Sequence, residues 1–112
     1  MIHGVIRTGL IVVVLAALVL VVTAPVQAQD AASVFKSKCA MCHGPDGGGD
    51  TPTGKAMKVR DLRSADVQKQ SDADLTGIIT NGKNKMPAYK GKIDDAQIKQ
   101  LVGFIRDLGK KK

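Results

Sequence analysis

The chain has 112 residues, 17 of them Lys or Arg and 10 acidic, for a formal charge of +7. That length allows one domain at most and excludes a multidomain enzyme. It contains two Phe, one Tyr and no Trp, so its apolar core is thin and a large flat cofactor is the kind of group expected to fill the centre.

Arg7 is the only formally charged side chain before Asp30, and Leu10 to Val22 is an unbroken apolar run followed by TAPVQAQD. A charged start, a short apolar core and a small residue at Ala28 predict a secretory signal peptide over residues 1–28, cleaved after Ala28. The competing reading is an uncleaved membrane anchor. Extending the apolar stretch to Val26 takes in Thr23 and Pro25, whereas a spanning helix wants about 20 apolar residues. Residues 29–112 then form the exported domain, with 16 basic side chains, 10 aspartates and a formal charge of +6.

Three helices are expected in that domain. The first starts at Asp30, a good N-cap residue, and runs AASVFKSKCAMC, with Val34, Phe35, Lys38, Cys39 and Cys42 at helical spacing. GPDGGGDTPTG follows, with five glycines and two prolines in eleven residues, and reads as loop. The second helix is SDADLTGIIT, with Ser71 and Asp74 resembling a capping box, an apolar stripe of Leu75, Ile78 and Ile79, and a stop at Asn81-Gly82. In the third, Asp94 caps, Gln97 takes the N3 position, and Ile98, Leu101, Val102, Ile105 and Leu108 follow the 3.6-residue period up to Gly109 and a lysine tail. No alternating strand pattern is present, so the fold class is all-α with long irregular loops.

The pattern Cys39-Ala-Met-Cys42-His43 carries the chemistry. A disulfide here would close a tiny loop and add little stability. A thioredoxin-like dithiol expects alternating strands and helices around it. A zinc site needs a second ligand pair, and the other histidine, His3, falls in the predicted signal. Covalent haem attachment is the remaining reading, and C-x-x-C-H is its signature. Each thiol adds to one vinyl group on the same edge of the ring, and His43 offers an imidazole nitrogen to the iron.

With AASVFKSKCAMCHG, NKMPAYKGK and QIKQLVGFIRDL, the segment from Ala31 to Leu108 resembles the class I c-type cytochromes, above all the short bacterial and photosynthetic-lumen members. The resemblance implies a cytochrome c fold around one covalent haem c. It implies that the N- and C-terminal helices cross at an aromatic contact, where Phe35 and Phe104 match, with Ala31 at a small-residue position. It also implies that Met86, before Pro87, is the sixth iron ligand opposite His43. Two features depart from the family pattern: there is no tryptophan to stand beside a haem propionate, and the loop from Gly47 to Thr53 is glycine-rich. Lys55, Lys58, Arg60 and Arg63 are candidates for shielding the propionates.

The residues weigh the same way on the second ligand. Met41 lies between the cysteines, committed to the attachment turn. Met57, beside Ala56, reads as core filler. Met86 lies in NGKNKMPAYKG, where an isolated apolar residue needs a buried partner, and Pro87 stiffens the loop that presents it.

A haem ligated by His43 and Met86 has no vacancy for substrate, and a thioether ligand raises the reduction potential. The expected function is a periplasmic one-electron carrier rather than an enzyme. Its partners are expected to be redox proteins, and an acidic patch on them would meet Lys83, Lys85, Lys90 and Lys92. It is expected to be a monomer, with no nucleic-acid partner and no membrane insertion after cleavage. The alternatives are a membrane-anchored cytochrome subunit of a respiratory complex, and a haem peroxidase or gas-binding protein, for which no distal histidine remains.

Overall fold

The computed structural model describes residues 30–111, so the segment read as a signal peptide, residues 1–28, lies outside the described residues. Helix α1 (Ala31–Lys38) begins where Asp30 Oδ1 accepts a hydrogen bond from the Ser33 amide at 2.8 Å. The expected continuous helix breaks at Cys39, which ends α1 and opens the four-residue α2 (Ala40–His43). The Cys39 amide still closes onto the Phe35 carbonyl at 2.9 Å, but the Cys42 and His43 amides both turn to the Cys39 carbonyl, at 3.3 and 3.0 Å. The kink therefore falls on the first cysteine of the C-x-x-C-H pattern.

The glycine- and proline-rich stretch is not all loop. Its end forms α3 (Pro52–Met57), because Thr51 Oγ1 accepts from the Gly54 amide at 2.8 Å and Pro52 stands in the first turn, where its missing N–H costs nothing. A left-handed Lys58, φ 55°, ends this helix. A further short helix, α4 (Ala65–Gln68), is capped by Ser64 and inserts Val67 into the core. Helix α5 (Asp72–Asn81) starts where Ser71 accepts from the Asp74 amide and stops at Gly82. Helix α6 (Asp95–Lys110) carries a full capping box: Asp94 Oδ1 accepts from the Gln97 amide at 2.7 Å, and Gln97 Oε1 accepts from the Asp94 amide at 3.3 Å. It runs one residue past Gly109, the expected stop. Among the described residues the only extended pairings are the isolated bridges Lys83–Met86 and Lys90–Ile93, and the fold is all-α.

The core is assembled from distant parts of the chain. Val34 and Phe35 from α1, Val67 from α4, Leu75 and Ile79 from α5, and Ile93 surround the buried stripe Ile98, Leu101, Val102, Ile105 and Leu108 of α6. Helices α1 and α5 both pack on α6, and the Phe35 and Phe104 rings meet with centroids 4.9 Å apart at 44°. That tilted offset is favourable for two aromatic quadrupoles. Arg106 ties the other side together: its guanidinium donates to the Gln68 and Gln70 carbonyls and to Asp72 Oδ1. Phe35 is only 3% exposed, so Phe35→Ala is expected to cost about 3–5 kcal/mol, read as a lowered urea midpoint with an unchanged denaturant slope.

Candidate functional site

The segment from Cys39 to His43 is held from the α3 side. Thr51 Oγ1 donates toward the Met41 carbonyl at 2.9 Å and the Cys42 carbonyl at 3.1 Å, while accepting the Gly54 amide that begins α3. Gly54 lies so close that a Cβ there would come within 2.3 Å of the Cys42 carbonyl oxygen. The Gly49 amide donates to the His43 carbonyl at 2.7 Å, closing the loop that follows the motif. Thus the glycine-rich stretch, featureless as sequence, wraps the motif with backbone.

Cys39 and Cys42 are both free thiols and both half-buried. Burial, with Lys38 opposing and Cys42 adding, pushes the Cys39 thiol up to about 11. A catalytic dithiol requires a depressed value instead, so the redox reading is not supported. His43 is half-buried, and burial pushes its imidazole below the ordinary histidine value, which favours the neutral form. Its Nδ1 is buried and has no hydrogen-bond partner. Buried polar atoms are normally paired, and a neutral imidazole is the form that ligates a metal. Two neighbouring free thiols and this histidine fit an iron-bearing group fixed by thioethers. No cluster of three or more His, Cys, Asp or Glu side chains suited to a metal ion occurs among the described residues, so the zinc reading has no ligand set there.

Met86 sits in a tight reverse turn. The Met86 and Lys83 backbones exchange hydrogen bonds at 3.0 and 3.2 Å, and Asn84 takes the left-handed conformation, φ 53°, that asparagine tolerates. Beyond Pro87, the Tyr89 and Lys90 amides donate to the Ile79 and Thr80 carbonyls at the end of α5, each at 3.0 Å. Gly82, φ +76°, allows this crossing, since a Cβ there would lie 2.7 Å from the Met86 carbonyl oxygen. Met86 is half-buried against the core, as are Cys39, Ala40 and Tyr89. Met41 is 77% exposed and Met57 41%, so of the three methionines in the described residues only Met86 packs on the core that also supports the attachment turn.

The four candidate propionate partners separate. Arg63 is committed to carboxylates, with Nε 3.0 Å from Asp61 Oδ1 and Nη1 3.4 Å from Asp46 Oδ2. Lys55 pairs with Asp50 at 2.9 Å. Lys58 and Arg60 are exposed and enter none of the ion pairs among the described residues. Sequence reasoning missed Thr51 and Gly54 as supports of the motif; the signal was there in a Thr-Pro pair, which marks a capped helix start.

The family described as cytochrome c oxidase, cbb3-type, subunit III, matches residues 26–105. A cytochrome c6 of Leptolyngbya boryana is 35% identical over 78 residues, which take in 70% of this chain and 88% of that protein. The cbb3-type cytochrome c oxidase subunit CcoP of Azospirillum brasilense is 33% identical over 84 residues, 73% of this chain but 28% of that protein. Among solved structures, the KustC0563 c-type cytochrome superposes with a TM-score of 0.66 at 29% identity, covering 71% of this chain and 98% of its own. Its helical frame, the Phe35–Phe104 crossing and the Cys39–Cys42–His43 turn agree with these likenesses: the chain belongs to the small class I c-type cytochromes, and with them it carries one covalently bound haem c.

Proposed function

We propose that the chain is an exported one-electron carrier in which Cys39 and Cys42 tether the haem and His43 and Met86 are the axial ligands. The observation that carries this reading is the placement of Met86, the core-packed methionine of a turn locked by paired backbone hydrogen bonds and followed by proline. The haem supplies the ferrous–ferric couple. The chain's contribution is to hold a neutral imidazole and a thioether on rigid backbone, so that little rearrangement accompanies a change of charge. His43 and Met86 would both be given to the iron, which would leave the chain suited to transfer rather than catalysis. The similarity to cytochromes c6 supports it.

Residues 1–28 act as a cleaved signal in this reading, which places the mature domain in the periplasm. No helix among the described residues is long and apolar enough to cross a membrane. The likeness to CcoP favours a second reading, an anchored subunit of an oxidase. Intact mass of the native protein separates the two, since the anchored form retains Arg7.

Lys83, Lys85, Lys90 and Lys92 are all exposed and enter no ion pair among the described residues. They flank Met86 on both sides and would steer an acidic redox partner to that face. Electron exchange with such a partner is expected to slow about tenfold or more between low and physiological salt, and Lys85→Asp or Lys90→Asp to lower the association rate without moving the reduction potential. Stopped-flow measurement over a salt series checks it; a rate indifferent to salt makes these lysines a solubilising surface.

A further inference from the structure

We propose that Tyr89 is a positioning residue that latches the Met86 turn to the end of the attachment helix. The inference rests on the reading of Met86 as an iron ligand and extends it. In an uninterrupted α-helix the Lys38 carbonyl would receive the amide four residues on, that of Cys42. The break at Cys39 redirects that amide to the Cys39 carbonyl. The Lys38 carbonyl instead accepts the Tyr89 hydroxyl at 3.0 Å, from 51 residues away.

The backbone of Tyr89 is fully engaged elsewhere: its amide donates to the Ile79 carbonyl, and its carbonyl accepts from the Lys92 and Ile93 amides at 2.9 and 3.1 Å. Its side chain packs against the same core as those of Met86 and Cys39. One residue therefore fastens the segment after Met86-Pro87 to α5 through its main chain and to α1 through its side chain. The helix break at Cys39 frees the Lys38 carbonyl, and the hydroxyl three residues after Met86 donates to it. Opening of the Met86 turn then has to break this bond first.

The test uses the haem-loaded protein and the variant Tyr89→Phe, which keeps the ring and removes only the hydroxyl. Three quantities are followed through a urea series: the near-infrared sulfur-to-iron absorption of the oxidised protein, carbon monoxide binding to the reduced protein, and helicity by circular dichroism. Tyr89→Phe is expected to lose the near-infrared band at lower urea than it loses helicity, with both coincident or nearly so in the parent protein. It is also expected to bind carbon monoxide about two- to tenfold faster, the factor that one net hydrogen bond supplies. A band and a carbon monoxide rate unchanged from the parent, or a band that falls only together with helicity, overturns the latch alone. A parent protein with no near-infrared band overturns the assignment of Met86 and the latch with it.

Discussion

Met86→Ala is expected to abolish the near-infrared sulfur-to-iron absorption of the oxidised protein, lower its reduction potential on the order of 0.2 V and open the iron to carbon monoxide and cyanide. The direction follows from chemistry: a thioether favours the reduced ion, and its loss leaves water or a nitrogen donor, which favours the oxidised one. The size lies well inside the span of about 0.8 V that axial ligands command. The fold is expected to survive, because Met86 lies at the margin of the core rather than within it, half-buried against it. Met57→Ala is the control. Its side chain is 41% exposed at the end of α3, so its loss is expected to leave spectrum, potential and ligand binding unchanged, with a cost of about 1 kcal/mol or less. Redox titration with optical detection distinguishes the two variants, and a ligand phenotype in Met57→Ala transfers the sixth position to α3.

Replacing both Cys39 and Cys42 with serine is expected to reduce the yield of haem-bearing protein more than tenfold and to leave a chain with little stable tertiary structure. Small domains bury too little apolar surface to tolerate the loss of a large central group. In this one the core of the described residues consists of eleven buried side chains, of which Phe35 is the single aromatic member. Denaturing electrophoresis with a haem stain reads attachment, and thermal melting followed by circular dichroism reads the fold. Haem that extracts freely from the parent protein would refute thioether attachment. A well-folded double variant would show instead that the side chains alone complete the core.

The start and buried face of helix α6 were legible in the sequence, because its capping box and apolar stripe are local patterns that the fold reproduces: Asp94 with Gln97, then Ile98 to Leu108. Helix α5 was legible for the same reason. The short helices α3 and α4 were not. Val67 is the one buried apolar side chain of α4, and a single residue has no period. In α3 the glycine and proline content outweighed the Thr51-Pro52 start. Cys39, Cys42, His43 and Met86 could be singled out as candidates because the chemistry read into them demands particular side chains at set places. The bonds supporting them were not. Thr51 reaches the Met41 and Cys42 carbonyls and Tyr89 that of Lys38, and a main-chain carbonyl belongs to every residue type, so the accepting position leaves no mark on the sequence.

The meeting of Phe35 with Phe104 joins the two ends of the described chain. Among the described residues, five of the eleven core side chains come from α6, which follows the other described helices in the chain. A nascent chain that has reached Asp94 holds every capping residue for the earlier helices yet has nothing for α1 and α5 to pack upon, and isolated helices this short are unstable in water. Packing of α1 and α5 therefore waits on α6, and it is governed by closure of the long loop between Phe35 and Phe104. Until then the cysteine pair remains on an open, accessible polypeptide.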